Sequence, residues 1–351
     1  MIHHKKSRQK SLDWRTTLSS LAIGASGATL FGIIGFPSAP LTGSAAAVTV
    51  VSLFGIKTEI PILVRNAAFI LLGVNIGTAA TPELLANAVQ WPFSLIILLV
   101  SLVVGILLTR LGLKRIFNYE HESATLAAVP GHLSYVLSLS LERNTDTAQI
   151  AIVQSVRVLF ITLVAPPFIV LGFGATSAVV LPDAVMSPWH ILLAFGGAFI
   201  VGLLFTRAKI PAAFLLAGMI VTALLQLTET TSGRLPEALS FLSFLIMGTL
   251  IGSRFSNQTL RTIRVALGAG LWVTGVNFSV AILGTVALSF FFDLSAAQIF
   301  VAFVPGGVEA MAAMALMLGI DPTYVAAHHL ARLIFLTFLI PLMLSLKETG
   351  R

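Results

Sequence analysis

The sequence predicts an all-α, polytopic membrane protein made of two inverted repeats, each with five crossings plus one broken or re-entrant helix. Three observations predict it. The residues are 57% apolar and only 10% charged, whereas a globular domain carries about 25% charged residues. One residue pattern occurs twice at a constant spacing. The basic residues gather on one side of the membrane only if each repeat makes an odd number of crossings.

The mean hydropathy of +0.97 reflects repeated apolar runs of the roughly 17 to 25 residues needed to span a ~30 Å hydrocarbon layer. The short alternating segments of an outer-membrane barrel are not seen. The formal charge is +7, but the basic residues sit in short loops between spans, where they serve orientation rather than polynucleotide recognition. The expected partners are the lipid bilayer and a small-molecule or ion ligand, with no nucleic acid; a homo-oligomer is left open. With no cysteine in the chain, disulfides, thiolate metal sites and a cysteine nucleophile are excluded.

Taken in order, a basic tail over 1–16 precedes the first span; the apolar run Thr17 to Phe36 exceeds the usual 7 to 15 residue signal core. Apolar helices are predicted over 17–36, 40–56, 62–80, 91–110, 122–141 and 148–172. They recur over 189–206, 211–227, 237–253, 265–291, 296–318 and 322–346, with Pro, Gly or charge at the breaks. The repeats run 17–173 and 189–346, joined by a linker over 174–188 and closed by a tail over 347–351. Pro130-Gly131 cuts 122–141 into arms of about ten residues, each reaching only about 15 Å. That segment is one broken span or two half-helices that turn back.

Charge favours the second. With both broken segments turning back and the N-terminus cytoplasmic, eighteen Lys and Arg fall inside and only Arg234 outside, with Arg157 and Arg332 in the membrane. If all twelve segments cross, Arg143, Arg207, Lys209, Arg254, Arg261 and Arg264 move outside, leaving thirteen against six. The positive-inside rule selects five crossings per repeat, so the second repeat is inverted.

The repeated pattern is AVPGHLSYVLSLSLERNTDTAQIAIVQSVRVLF from Ala128 and FVPGGVEAMAAMALMLGIDPTYVAAHHLARLIF from Phe303. Pro130 and Pro305, Asp146 and Asp321, Arg157 and Arg332, and Pro166 and Pro341 are each 175 apart (305 − 130). Gly73–Gly77 and Gly248–Gly252 place a GxxxG pair in the same register, and small residues four apart let membrane helices approach closely.

Arg157 and Arg332 lie about 16 Å into their helices, near the midplane. An intramembrane arginine must face protein or water. Asp146, Gln154 and Arg157 share one face, as do Asp321, His329 and Arg332; the aspartates read as N-caps, with Pro322 at the first helical position. Three roles stand open for the arginines, one of them a salt bridge between the repeats. Their donors can satisfy carbonyls freed at the breaks, or they handle a ligand or ion directly. The half-helices after Pro130 and Pro305 begin with bare amides and a positive dipole end. Glu309 compensates that dipole in the second half, whereas Ser134 stands at the matching position (309 − 175) of the first, beside His132. The candidate ligand site is therefore Pro130, Gly131, His132, Ser134, Gln154 and Arg157, with Pro305, Gly306, Gly307, Glu309, His329 and Arg332. An anionic group on the Gly131–Ser134 amides and Arg157, with Glu309 as a carboxylate counter-site, is one reading; Glu309 as a cap or ion-pair partner is the other.

His328 and His329 are adjacent and point about 100° apart, so they share no metal. No metal-ligand constellation, phosphate loop or nucleophile elbow is present, so no cofactor, metal or enzyme activity is expected.

The duplicated PGG…D…R pattern resembles the AbrB family of bacterial inner-membrane proteins, with two tandem membrane units; this is not the soluble DNA-binding regulator of that name. The resemblance runs from about Leu21 to Leu346, with His132 and Tyr135-Val136 departing from the family pattern. It implies an inner-membrane location and the labels regulator of gene expression and ammonia monooxygenase, neither with an active site. It also implies a distant likeness to transporters with inverted repeats. A secondary-transporter-like permease with a midplane site is expected, with a membrane-embedded regulator as the alternative.

Overall fold

The computed structural model describes residues 13–80, 91–174, 184–256, 258–292 and 294–345. The tail through residue 12, most of the linker and the tail from 347 on, all given roles above, lie outside the described residues. Fourteen helices and no strand occur among the described residues, with one isolated bridge between Val185 and Arg234.

The first repeat contains α1 (Trp14–Ile33), α2 (Ala39–Leu53), α3 (Ile62–Gly77), α4 (Trp91–Arg115), α5 (His121–Ala128), α6 (Leu133–Glu142) and α7 (Thr147–Phe173). The second contains α8 (Pro188–Arg207), α9 (Ala213–Leu227), α10 (Glu237–Ser253), α11 (Leu260–Ser289), α12 (Ala296–Phe303), α13 (Val308–Met317) and α14 (Pro322–Ser345). Ten predicted spans are single helices, and the two with Pro-Gly breaks are helix pairs. Six helices (α1, α4, α7, α8, α11 and α14) are long and apolar enough to cross a membrane. The paired helices α2, α3, α9 and α10 have 15 to 17 residues, about 23–26 Å.

The duplication is visible helix by helix. α5 and α6 map onto α12 and α13 with the same bounds after adding 175 (121 + 175 = 296; 133 + 175 = 308). Earlier in the repeat the offset is one less: α2 begins at Ala39 and α9 at Ala213 (213 − 39 = 174), each after a left-handed residue, Ser38 at φ 55° or Ala212 at φ 51°. The aspartates cap as expected: Asp146 accepts from the Gln149 amide at 2.9 Å, and Asp321 from the Thr323 amide at 2.8 Å.

Hydrogen-bond register settles the broken segments. Gln154 and Arg157 of α7 donate to the carbonyls of Leu126 and Val129. Three residues along α7 thus correspond to three along α5 in the same direction, so the two run parallel. A broken span would make them antiparallel. The chain must turn back through α6, and the ion pair between Arg143 and Glu122 at 3.2 Å ties the two ends of the hairpin together. His329 and Arg332 meet Val301 and Val304 in the same way, so α12–α13 is re-entrant as well. Single cysteines at Glu120 and Asn144 of this cysteine-free chain are therefore expected to react with an impermeant thiol reagent from the same face. Reaction from opposite faces would mean that α5–α6 crosses.

Glycine contacts settle the inversion. A side chain on Gly73 would strike Leu215 and Gly218, and one on Gly77 would strike Met219 and Thr222. The third helix of the first repeat therefore runs parallel to the second helix of the other. Gly248 and Gly252 of α10 meet Leu41 to Thr49 of α2 in the same sense. With consecutive spans alternating in direction, a third helix parallels a second only if one repeat is upside down.

The packing sorts the helices into two bundles, each drawn from both repeats. α1–α3 pack with α8–α10, and α4–α7 pack with α11–α14; between the bundles the contacts are sparse, chiefly α2 on α7 and α3 on α13. Both re-entrant hairpins belong to the second bundle and point their tips at the first.

Candidate functional site

Each hairpin tip is held from behind by the arginine one helix later. Arg157, 1% exposed, donates through Nη1 to the Val129 carbonyl at 3.1 Å. Arg332, also 1% exposed, donates through Nη2 to Gly306 at 2.6 Å and through Nη1 to Val304 at 3.5 Å. α5 and α12 end at these breaks, leaving carbonyls that no further helical turn can satisfy, and inside a membrane an unpaired carbonyl is costly. The arginines supply the donors. Both retain a buried Nε without a partner, so this structural duty leaves part of each guanidinium free.

The tips differ. Gly131 at φ 80° and His132 at φ 53° are both left-handed, a conformation that glycine adopts freely and other residues do not. At the matching position of the second tip Gly307 has φ −72°. Arg332 also lies against the first tip, since a side chain on Gly131 would come within 3.5 Å of its Nη2. The two breaks are therefore neighbours.

Between the bundles lies a cavity of about 690 Å³, where both tips emerge. From the hairpin bundle it receives Gly131, His132, Gln154, Arg157, Gly306, Gly307 and Glu309. From the other bundle it receives Arg65 and Asn66 of α3, Lys209 after α8, and Arg254 after α10, with Phe69, Phe214, Met247 and Leu250 as apolar wall. Gln154 is 1% exposed; its Nε2 donates to Leu126 at 3.1 Å, while its Oε1 has no partner. Glu309, in the first turn of α13, makes no ion pair among the described residues and is the one carboxylate in this wall.

Four cations against one carboxylate make the cavity electropositive. Depth follows from register: Arg65 is three residues into α3 and Arg254 caps the end of α10, both near the mouth, whereas Arg157 is ten residues into α7, roughly 15 Å along it.

Of the predicted residues, Pro130 and Pro305 are buried at the tips and Ser134 lies in the first turn of α6. His329 and Arg332 are buried behind the second tip, outside the cavity wall. His329 Nε2 donates to Val301 at 3.0 Å, leaving a buried Nδ1 without a partner. His328 donates from Nδ1 to the Tyr324 carbonyl at 2.8 Å and accepts from Ser94 at 2.7 Å. Asp321, before α14, is held above the usual carboxylate range by burial, against the pull of the Tyr324 and Thr323 amides. Among the described residues no three His, Asp or Glu side chains gather as for a metal ion.

Sequence reasoning missed Arg65, Asn66, Lys209 and Arg254 as cavity residues. It read the three cations only as charges that set orientation. The one available signal is that Arg65 and Arg254 flank the GxxxG helices, which proved to form the facing wall.

The chain matches the family described as "Transition state regulatory protein AbrB" over residues 40–347. It is 26% identical over 313 residues to a protein of Escherichia coli (strain K12) named "Putative regulator AbrB", covering 86% of this chain and 88% of that one. It is 25% identical over 294 residues to "Uncharacterized protein YhjN" of Bacillus subtilis (strain 168), covering 77% and 75%. No solved structure matches it.

Proposed function

Since the chain belongs to the AbrB family of membrane proteins, we propose that it is a secondary-transporter-like permease for a small anionic solute. The observation that carries this is the meeting of two re-entrant tips, one from each inverted half, in one electropositive cavity. Such tips place half-helix ends and a buried arginine where a charged group can bind without water. Arg157, Gln154 and the amides at Gly131–Ser134 form the deep end, Arg65, Lys209 and Arg254 draw an anion in, and Glu309 supplies the counter-charge. The positive-inside rule makes the cavity mouth cytoplasmic, with the N-terminus on the same side of a bacterial inner membrane. No chemical step is assigned to the chain: it is not an enzyme on this reading. The second reading, a membrane-embedded regulator working through a partner, rests on the printed name of the Escherichia coli relative.

The test is thermal unfolding of the purified protein in detergent with a panel of mono-, di- and tricarboxylates, phosphate and sulfate. A ligand at a hundred times its Kd adds about 2.7 kcal/mol, a clear upward shift. The shift is expected for one class of anion and is expected to vanish in Arg254→Gln. A wild type that no anion stabilises would remove the anion-permease reading and leave the regulator.

A further inference from the structure

The cavity is lined at one end of the bundles, by the start of α3 and the residues that follow α8 and α10, although the fold that forms it is duplicated. Adding 175 to or subtracting it from the cavity residues gives the wall that the other repeat would build. Met247, Leu250, Ile251 and Arg254 become Leu72, Asn75, Ile76 and Ala79; Phe69 becomes Phe244; Gln154 and Arg157 become His329 and Arg332. Phe69, Leu250 and Arg254 are part-exposed whereas their counterparts Phe244 (7%), Asn75 (3%) and Ala79 (1%) are buried; Met247, Ile251, Gln154 and Arg157 are as buried as their counterparts. At those three positions two walls of one design, in inverted halves, differ in exposure.

From this we infer that the protein has a second, now occluded, vestibule facing the opposite side of the membrane, with His329 and Arg332 as its deep ligand groups. The inference rests on the permease reading of the open cavity. Rearrangement is favoured by the construction: the bundles touch sparsely, and the cavity lies on that seam. Moving the hairpin bundle against the other would close the present wall and open its counterpart, exchanging the roles of the two repeats.

The second vestibule is not a copy in charge. Arg65 is matched by Ser240 and Arg254 by Ala79, so the mouth cations of α3 and α10 have no equivalents. The deep arginine is kept, and the amide of Gln154 gives way to the imidazole of His329, whose buried, unpartnered Nδ1 matches the buried, unpartnered Oε1 of Gln154. The same anion class is accepted there, held by fewer charges.

The experiment uses the full cysteine-free chain in right-side-out and inverted membrane vesicles, with an impermeant thiol reagent and no added solute. Asn66→Cys reports the open cavity, and Asn75→Cys the second vestibule. Asn75→Cys is expected to react from the face opposite to Asn66→Cys. Leu250→Trp puts a bulky ring where the counterpart, Asn75, is buried, so that wall cannot close. It should abolish reaction at Asn75→Cys while sparing Asn66→Cys, whose labelling also shows that the variant is folded. Asn75→Cys unreactive from that face, or equally reactive with and without Leu250→Trp, would overturn the inference. Because no anion is present, failure of the anion panel leaves this result standing, and the reverse also holds.

Discussion

Arg157→Ala is expected to abolish anion-dependent stabilisation and to lower the unfolding free energy even without ligand. The guanidinium is buried and donates to Val129 at the end of α5. Truncation leaves that carbonyl without a partner, at about 1–3 kcal/mol, and removes the deepest positive charge of the cavity. Arg157→Gln separates the two effects, since an amide can still donate but carries no charge. It should recover part of the stability and none of the anion response. Arg332→Ala should lower stability further, because Arg332 serves two carbonyls, Val304 and Gly306. Unfolding curves in detergent, with and without the stabilising anion, read all three. An anion response retained in Arg157→Gln would take Arg157 out of the site and leave it as a brace for the hairpin.

Gly248→Leu and Gly73→Leu are expected to be the most damaging changes outside the cavity. A Cβ at 248 would run into the Leu41 carbonyl and lie 2.7 Å from the Ser44 Cβ; at 73 it would meet the Leu215 carbonyl and lie 3.0 Å from the Gly218 Cα. The obstacle is backbone in both cases, so relief means pushing two helices apart. Overpacking typically costs about 1–3 kcal/mol and sometimes more, and here it also breaks contacts that hold one repeat to the other. Gly32→Ala is the control: nothing lies within 4 Å of a Cβ there, and alanine favours a helix by about 1 kcal/mol over glycine. Lower yield and melting temperature are expected for the two leucine variants, with Gly32→Ala at or above wild type. A Gly248→Leu protein that melts like wild type would contradict the parallel packing of α2 and α10.

Much of the site was legible because duplication acts as an internal comparison. Pro130 with Pro305 and Arg157 with Arg332 persist at one spacing in a chain otherwise free to drift among Leu, Ile, Val and Ala. Those pairs proved to be the hairpin tips and the arginines that hold them. The one-residue slip of register before α3 was not legible. It lies in apolar stretches where a shifted residue leaves the pattern unchanged, and the bounds of α2 and α9 and the packing of Gly73 and Gly248 reveal it.

The sequence alone determined the class, the twelve apolar segments, the duplication and, through the side chosen by its basic residues, the inversion. Each of these follows from local chemistry: the transfer of apolar runs into lipid, the punctuation of Pro and Gly, and the preference of Lys and Arg for one face. Only the tertiary structure decided that helices of opposite repeats interlock into two bundles and that Arg65, Lys209 and Arg254 share a cavity with both tips. It also showed which arginine faces that cavity: Arg157 lines it, whereas Arg332, its equal in sequence, lies buried behind the other tip. The physical reason is that inverted copies have the same local chemistry but not the same surroundings. Which copy lines the cavity depends on how the two bundles lean on each other, a long-range balance that no spacing along the chain records.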